Sequence, residues 1–477
     1  MAKQPMLKFV DVERDMPEKR PPDLRASDFN EIYAQFAREK AAEQASRCSQ
    51  CGVPYCQSHC PLHNNIPDWL RMTAEGRLKE AYEISQATNT FPEICGRICP
   101  QDRLCEGNCV IEQSGHGTVT IGSVEKYITD TAWENGWVQP AAPSQERVES
   151  VGIIGAGPGG LAAADVLRRQ GVQVTVYERA DRAGGLLTYG IPGFKLEKDV
   201  VMKRIDQLEQ GGVVFKLNCE IGQDVSFSEL QVTHDAILIA TGVYKSRDLQ
   251  APGIGAGGIV KAIDFLTASN RKSFGDTVPE FDSGELNAEG KRVVVIGGGD
   301  TAMDCVRTSI RQGAKSVKCL YRRDRDNMPG SQREVSNAEE EGVEFVWLSA
   351  PKGFTGDAVE SVMVERMRLG APDATGRQAP EVIEDSVYSE GADLVIKALG
   401  FEPEELPTLW GVPELAVTRW GTVKADFRTH ETNLPGVYAC GDIQRGASLV
   451  VWAIRDGREA AEAMLDQFNA ADRVAAE

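Results

Sequence analysis

Eight of the twelve cysteines in this 477-residue chain lie between positions 48 and 109, in two closely spaced groups. The groups are Cys48, Cys51, Cys56 and Cys60, and then Cys95, Cys99, Cys105 and Cys109. Each spacing brings soft thiolates within reach of one small inorganic core, and in two-cluster ferredoxins the last cysteine of a run ligates the other cluster. Two zinc sites of four cysteines each would satisfy similar spacings. The cysteines therefore predict metal centres, while the spacing leaves the metal and the ligand assignment open.

A glycine motif after an apolar run predicts a dinucleotide site. It comprises Gly155, Gly157 and Gly160, which form G-x-G-x-x-G directly after the apolar residues 151–154. In such a motif the first glycine permits a tight turn, the second lets the backbone approach a pyrophosphate, and the third lets the helix pack on the sheet. Glu178 ends the following strand, where an acid can bind a ribose hydroxyl. Pro158 in the loop favours FAD over a nicotinamide cofactor.

The same pattern recurs after position 291 with a different end to its second strand. The motif comprises Gly297, Gly299 and Ala302, with Asp300 and Thr301 at the start of its helix. Its second strand ends in Arg322 and Arg323, and arginine matches a 2′-phosphate in charge and geometry. This internal repeat predicts a second nucleotide site that prefers NADPH, unless the two arginines only cover a surface.

Further residues are expected to lie along the flavin, in a glycine-broken loop and at two later strand ends. The candidates are Arg179, Gly185, Leu186, Gly242, Gly441 and Asp442. Asp442 could bind a ribityl hydroxyl while the helix after it stabilises negative charge on the reduced ring. Alternatively, Asp442 could simply cap that helix.

No redox cysteine pair accompanies the flavin motifs, since Cys305 and Cys319 do not form C-x-x-C and the loop after Glu178 has no cysteine. Electrons leaving this flavin have no thiol route, which points back to the cysteine block and favours [4Fe-4S] clusters over zinc. Hydride transfer needs stacking and exclusion of water rather than an acid or base. No catalytic side chain is therefore expected.

The composition excludes several classes of function. A net charge of -19 argues against nucleic-acid binding, which needs a basic surface. No apolar run approaches the roughly 20 residues of a membrane span. The charged N-terminal stretch lacks a signal-peptide core, so a cytoplasmic location is expected, where clustered cysteines bind metal more often than they form disulfides.

Apolar periodicity and linker composition distribute these sites over three domains. Helices are expected over 28–47, over 67–89 with a bend near Gly76, and over 122–137. The predicted α/β chain has a helical metal-binding domain at 1–145, an FAD-binding domain at 146–243 and 401–477, and an NADPH-binding domain at 244–400.

The order of these motifs resembles that of the small subunits of bacterial NADPH-dependent glutamate synthase. It runs from the cysteine block through GAGPGGLAAA with YE, ATG, GGGDTAMDC with YRR, and ACGD, and it covers essentially the whole chain. The resemblance implies a helical iron–sulfur domain ahead of two Rossmann-like nucleotide-binding domains of the glutathione-reductase type. It also implies that NADPH reduces FAD, and that two [4Fe-4S] clusters pass electrons to a large subunit that makes glutamate from 2-oxoglutarate and glutamine. Because this sequence has no N-terminal cysteine nucleophile and no region for glutamine hydrolysis, that subunit is expected to be a separate chain docked near the cysteine domain.

The cysteine block is also similar to that of dihydropyrimidine dehydrogenase and of bifurcating ferredoxin:NADP oxidoreductases, which implies a ligand assignment. One cluster takes Cys48, Cys51, Cys56 and Cys109, and the other takes Cys60, Cys99, Cys105 and Glu125. Cys95 is then spare, whereas a simpler scheme places the last four cysteines on one cluster. Cys95 and Glu125 are therefore rivals. By the same resemblance Glu334 corresponds to an acid near nicotinamide in related reductases, although an acid in a helix is often only solvated.

Two other functions fit the sequence. A ferredoxin-coupled NADPH oxidoreductase would use the same internal chemistry with another partner, and co-purification of a large subunit distinguishes it. A zinc-bound flavoprotein redox sensor would catalyse nothing, and analysis for iron and labile sulfide distinguishes that.

Overall fold

The computed structural model describes residues 6–476 apart from residues 375 and 377, with side chains as far as residue 470. An N-terminal helical region, here the cysteine region, precedes two nucleotide regions that each contain a parallel sheet. The helices of the cysteine region are α1 (Pro22–Arg25), α2 (Arg38–Ser46), α3 (Tyr55–Ser58), α4 (Ile66–Ala74), α5 (Leu78–Thr88), α6 (Pro92–Ile98), α7 (Val110–Gln113) and α8 (Ile121–Glu134). Short 3-10 turns occur at Lys8–Val10 and Gln101–Arg103.

The prediction of a helix over 28–47 was wrong for the first half of that range, because only α2 forms. Ile32 and Phe36 are buried as the apolar pattern predicted, but the backbone around them is not helical. There Tyr33 bridges to Lys19 in antiparallel fashion, and the amide of Arg20 donates to the carbonyl of Ile32 at 3.0 Å. These tertiary hydrogen bonds override the local helical periodicity.

The single bent helix expected over 67–89 is two helices, α4 and α5. Gly76 between them has a φ of 77°, a left-handed conformation that glycine adopts at low cost. The amide of Arg77 donates to the carbonyl of Met72 at 2.8 Å, which closes the end of α4. The glycine therefore ends a helix rather than bending one.

The first nucleotide region is built on a five-stranded parallel sheet. Its elements are β1 (Ser150–Ile154), α9 (Pro158–Arg169), β2 (Gln173–Tyr177), α10 (Leu186–Tyr189), α11 (Lys198–Gln210), β3 (Val214–Lys216), α12 (Phe227–Thr233) and β4 (Ala236–Ile239). The sheet order ends with a strand from the C-terminal part of the chain, β16 (Val437–Ala439), which pairs in parallel with β4. The last helices of this region are α17 (Leu406–Leu409), α18 (Asp442–Arg445) and α19 (Val450–Ala476). Because β1 is buried except at its first residue, its apolar run occupies the centre of the sheet.

The second nucleotide region repeats this plan. Its elements are β6 (Ile259–Lys261), α13 (Ala262–Ser273), α14 (Pro279–Asp282), β7 (Arg292–Ile296), α15 (Asp300–Arg311), β8 (Ser316–Tyr321), α16 (Gln332–Glu340), β9 (Glu344–Trp347) and β14 (Leu394–Lys397). The parallel sheet has the order β6-β14-β7-β8-β9. An antiparallel sheet is inserted between β9 and β14, formed by β10 (Ser349–Thr355), β11 (Ser361–Pro372), β12 (Gln378–Val382) and β13 (Tyr388–Gly391).

The two connections between the nucleotide regions pair with each other. One passes through β5 (Lys245–Ser246) and the other through β15 (Phe401–Glu402), which form a short antiparallel ladder. The cysteine region packs on the first sheet, because Leu62, Phe91 and Ile94 belong to the same apolar core as β1 and β2. Among the described helices, none is both long and apolar enough to cross a bilayer.

Candidate functional site

The glycines of the first motif have the environments that a pyrophosphate-binding turn requires. Gly155 has a φ of 107°, and a Cβ there would lie 2.5 Å from the carbonyl oxygen of Ala240. A Cβ on Gly160 would lie 2.1 Å from the carbonyl oxygen of Gly155, so helix α9 could not pack as closely with any larger residue. Gly157 has no atom within 4 Å of a Cβ position, and its backbone therefore faces open space.

Glu178 is attached to this glycine turn through its own carboxylate. The amide of Ala156 donates to Oε2 at 2.8 Å, and the amide of Ala180 donates to Oε1 at 2.9 Å. The side chain thus lies at the end of β2, beside the turn, with lone pairs left for a ribose hydroxyl. Arg179, the next residue, donates to Glu404 at 3.0 Å and stacks on the ring of Tyr244.

A cavity of about 240 Å³, here the flavin cavity, extends from this turn. The predicted residues that line it are Gly155, Gly157, Pro158, Glu178, Arg179, Leu186, Gly242, Gly441 and Asp442. Of the other predicted flavin residues, Gly160 lies behind the turn and Gly185 packs against it, where a Cβ would lie 2.9 Å from the Cα of Gly157. A cleft with a bare glycine turn at a helix N-terminus fits the diphosphate of FAD.

Asp442 lies at the flavin cavity and makes no side-chain capping hydrogen bond to α18, the helix that begins with it. It lines the flavin cavity, and its Oδ1 accepts hydrogen bonds from the amide and hydroxyl of Ser448 at 3.1 and 2.8 Å. Burial raises the pKa of this carboxyl to about 6. The long helix expected directly after Asp442 begins only at Val450, after the four-residue helix α18.

The second motif has the same local geometry. Gly297 has a φ of 147°, and a Cβ there would lie 2.2 Å from the carbonyl oxygen of Ala398. Gly299 has nothing within 4 Å of a Cβ position, and Ala302 is fully buried. Asp300 and Thr301 begin α15 and line a second, larger cavity of about 590 Å³, here the central cavity. This turn therefore fits a second dinucleotide.

Arg322 and Arg323 follow β8 at the surface. Arg322 is exposed and Arg323 is half-buried. Within the described part of the chain neither forms an ion pair, whereas Arg325 pairs with Glu339 at 2.7 Å. Both guanidinium groups therefore keep their donors for an anion such as a 2′-phosphate.

Glu334 is mostly buried, contrary to the expectation for a solvated helix residue. It lines the central cavity and accepts a hydrogen bond from Arg307 at 2.6 Å, with the Nζ of Lys195 at 3.9 Å. Burial alone would raise its pKa, but Arg307 and Lys195 lower it to about 2. The carboxylate is therefore charged and held by cations inside the protein.

The central cavity lies where all three regions meet. It is lined by Gly299 from the second nucleotide region, Leu186 from the first, and Ile98 from the cysteine region. Leu186, Ile98 and Asp442 also line the flavin cavity, so the two cavities adjoin. A nicotinamide held by the second motif can therefore approach a flavin held by the first.

The eight cysteines converge on two small cavities. The first cysteine cavity is lined by Cys48, Cys51, Cys56 and Cys109, and the second by Cys60, Cys95, Cys99 and Cys105 together with Glu125. The first set is the one that the resemblance to dihydropyrimidine dehydrogenase implied for one cluster, and the second contains Cys95 in addition to the residues implied for the other. The simpler scheme, with the last four cysteines on one cluster, does not match this division, because Cys109 lies with the first group.

Burial favours the neutral form of two thiols of the first cysteine cavity, those of Cys48 and Cys56, in the absence of a metal. It raises the pKa of Cys48 to about 11 and that of Cys56 to about 12. Four cysteines around one small cavity, all buried or half-buried, fit a metal centre, which would hold them as thiolates.

Glu125 and Cys95, the rival ligands, both line the second cysteine cavity. Oε1 of Glu125 accepts hydrogen bonds from Asn89 at 3.2 Å and Ser85 at 3.4 Å, both neutral donors. Burial raises the pKa of this carboxyl to about 8. Cys95 contacts the amide oxygen of the same Asn89 at 3.8 Å.

Sequence reasoning missed several residues of these cavities, Tyr244, Lys195 and Arg103 among them. Tyr244 lines the flavin cavity, Lys195 lines the central cavity, and Arg103 reaches the central cavity from the cysteine region. The position of Tyr244, two residues after the A-T-G strand end, was a usable signal. Lys195 and Arg103 carry none, since they approach the site from other parts of the chain.

Comparisons with known proteins identify both parts of the architecture. The family model described as dihydropyrimidine dehydrogenase domain II, 4Fe-4S cluster, matches residues 25–137, and the one described as pyridine nucleotide-disulphide oxidoreductase matches residues 149–457. These matches confirm the predicted fold class, and the first favours iron–sulfur clusters over zinc.

Relatives and a solved structure agree with these matches. The chain is 68% identical to the glutamate synthase (NADPH) small chain of Azospirillum brasilense, over 97% of its own length and 96% of that protein. It is 46% identical to the corresponding small chain of Escherichia coli K12, over 97% of its own length and 99% of that protein. FprA from Mycobacterium tuberculosis, solved in complex with NADPH, shares the fold with a TM-score of 0.58 at 20% identity, over 69% of this chain and 86% of that one.

Proposed function

This chain belongs to the family of NADPH-dependent glutamate synthase small chains, and on that premise we propose that it oxidises NADPH and supplies electrons to a large subunit. That partner forms glutamate from 2-oxoglutarate and glutamine. Bound FAD supplies hydride acceptance and single-electron release, and [4Fe-4S] clusters supply one-electron transport.

The observation that carries the proposal is the sequence of adjoining cavities. Ile98 lines the flavin cavity while its neighbour Cys99 lines the second cysteine cavity. At the start of α19, Val450 likewise lines the flavin cavity while its neighbour Val451 lines the second cysteine cavity. Ile121 lines both cysteine cavities, so the second lies between the flavin and the first. The chain thus provides a continuous protein path from the nucleotide sites to its cysteine-rich end.

The side chains of this path bind and orient cofactors and exclude water. Glu178 would hold a ribose of FAD, and Arg322 and Arg323 would hold the 2′-phosphate of NADPH. Leu186, Ile98 and Val450 form an apolar boundary between the flavin and central cavities, where the reacting rings need a dry contact. Hydride transfer needs no acid or base at that contact.

We propose the first cysteine cavity as the exit for electrons. Val53, Tyr55 and Val110 near it are exposed large apolar side chains. Residues 48–67 contain no Asp, Glu, Lys or Arg, although 26% of the chain is charged. An uncharged surface with apolar and aromatic side chains is typical of the centre of a protein interface. The large subunit is therefore expected to dock here.

We also propose the domain boundaries 1–145, 146–243 with 401–477, and 244–400, together with a cytoplasmic location. The boundaries are supported by the sheets, because β16 returns to the first sheet and β14 is the last strand of the second. The location is supported by the reduced state that eight clustered cysteines require.

The test is electron delivery by Cys48→Ala in the assembled enzyme. The variant is expected still to reduce a dye at the flavin with electrons from NADPH, but to lose glutamate formation with the large subunit. Loss of FAD from this variant would show instead that the cysteine region is structural. Ferredoxin reduction without glutamate formation by the wild-type protein would replace the proposal with the ferredoxin-coupled alternative.

A further inference from the structure

A short segment between two cysteines of the second cysteine cavity touches the second nucleotide region. It is the 3-10 turn Gln101–Arg103, which lies between Cys99 and Cys105. All three of its side chains make hydrogen bonds to residues 329–333. Arg333 donates to the side-chain oxygen of Gln101 at 2.5 Å, Ser331 donates to Asp102 at 3.1 Å, and Arg103 donates to the carbonyl of Pro329 at 2.6 Å.

Residues 329–333 are in turn bound to the second glycine turn. The amide of Gly330 donates to the carbonyl of Gly298 at 2.9 Å, and the amide of Ser331 donates to Oδ1 of Asp300 at 3.0 Å. The cysteine region therefore contacts the dinucleotide turn through a single intermediate segment.

Arg103 also reaches the dinucleotide turn directly. Its Nη2 lies 3.5 Å from Oδ2 of Asp300, at the first residue of α15. Arg103, Gly299, Asp300 and Thr301 line the same central cavity. The Arg103 side chain is 42% exposed, so its contacts with Asp300 and Pro329 leave guanidinium donors facing the cavity.

We propose that Arg103 binds the pyrophosphate of NADPH, so that the cysteine region completes a site otherwise built by the second nucleotide region. The N-terminus of α15 offers free amides and a positive dipole to that pyrophosphate, but Asp300 places a negative carboxylate at the same end. Arg103 offsets this charge and adds donors of a geometry that suits phosphate oxygens. The inference rests on the proposed function, since it takes NADPH to be the ligand of this motif.

The test compares the binding of NADP⁺ and of 2′-AMP to oxidised holoenzyme by calorimetry, without turnover. Arg103→Ala is expected to weaken NADP⁺ binding about tenfold or more, which corresponds to one charge-assisted hydrogen bond. Binding of 2′-AMP, which has the 2′-phosphate but no pyrophosphate, is expected to change less than about twofold by the same reasoning. Arg103→Lys keeps the charge, and its affinity for NADP⁺ is expected to lie between those of the wild type and Arg103→Ala. Arg71→Ala removes an exposed arginine of the same region and is the matched charge control.

Asp300→Asn separates a direct phosphate contact from simple neutralisation of Asp300. If Arg103 binds phosphate itself, the double variant that combines Arg103→Ala with Asp300→Asn still binds NADP⁺ weakly. Full recovery in the double variant, or unchanged NADP⁺ binding in Arg103→Ala, overturns the proposal. Absence of NADP⁺ binding in the wild-type protein would instead overturn the proposed function, so the two failures are distinguishable.

Discussion

Arg204 and Glu93 form a two-point ion pair between the first nucleotide region and the cysteine region. Nε and Nη2 of Arg204 donate to the two carboxylate oxygens of Glu93 at 2.8 and 2.9 Å, and both side chains are almost fully buried. Arg204 lies on α11, whereas Glu93 lies on α6, the helix that carries Cys95. The pair therefore fixes a cysteine-bearing helix against the flavin-binding sheet.

Glu93→Gln is expected to lower the free energy of unfolding by about 3–5 kcal/mol, because it leaves the buried Arg204 without a charged partner. Urea denaturation followed by flavin fluorescence measures the loss. Glu80→Gln is the control, since Glu80 pairs with Arg77 at a solvent-exposed site where ion pairs contribute little, and its loss of unfolding free energy should be far smaller. Equal losses in the two variants would contradict a structural role for the Arg204–Glu93 pair.

Replacing Arg322 and Arg323 together with alanine is expected to raise the KM for NADPH by about tenfold to a hundredfold, since two charge-assisted contacts to a 2′-phosphate are lost. The KM for NADH should change little, because NADH lacks that phosphate. Arg325→Ala is the neighbouring control, as Arg325 already pairs with Glu339. Equal effects on both nucleotides would remove the basis for the NADPH preference at these residues.

Glu125→Ala is expected to reduce the iron content from about eight to about four atoms per chain, as for loss of one [4Fe-4S] cluster. A buried carboxylate that has only neutral donors is costly without a cation, and iron would supply one. Cys95→Ala should leave the iron content near the wild-type value, because a neutral thiol is stable in an apolar site. Anaerobic purification with iron and sulfide analysis makes the comparison, and the reverse result would assign the ligand to Cys95.

Glu334→Gln is expected to lower the free energy of unfolding by about 3 kcal/mol at pH 7, since the pKa of Glu334 falls from 4.5 to about 2 on folding. A carboxyl with a lowered pKa stabilises the fold fully above its unfolded pKa and loses that contribution as the pH falls. The difference in the free energy of unfolding between variant and wild type should therefore become smaller as the pH falls from 4.5 to about 2. Denaturation at several pH values tests this, with exposed Glu339→Gln as the control on the same helix. A difference that does not vary with pH would contradict the ionic role.

Local signals were sufficient for the two nucleotide motifs. Gly155 and Gly297 have positive φ values, and Gly157 and Gly299 face open space, because these features depend on residues a few positions apart. Non-local features were not accessible in the same way. No spacing rule shows that Lys195 and Arg103 line the central cavity, or that Glu334 is buried against Arg307.

The bridging segment 329–333 has a practical consequence for engineered hybrids. Because it is hydrogen-bonded to the glycine turn on one side and to Gln101–Arg103 on the other, neither surface can be exchanged alone without leaving unmatched polar groups. A chimaera that takes its cysteine region from another family member should therefore take the matching residues 329–333 as well. A chimaera joined at the linker near residue 145, without the matching residues 329–333, would combine two contact surfaces that come from different proteins.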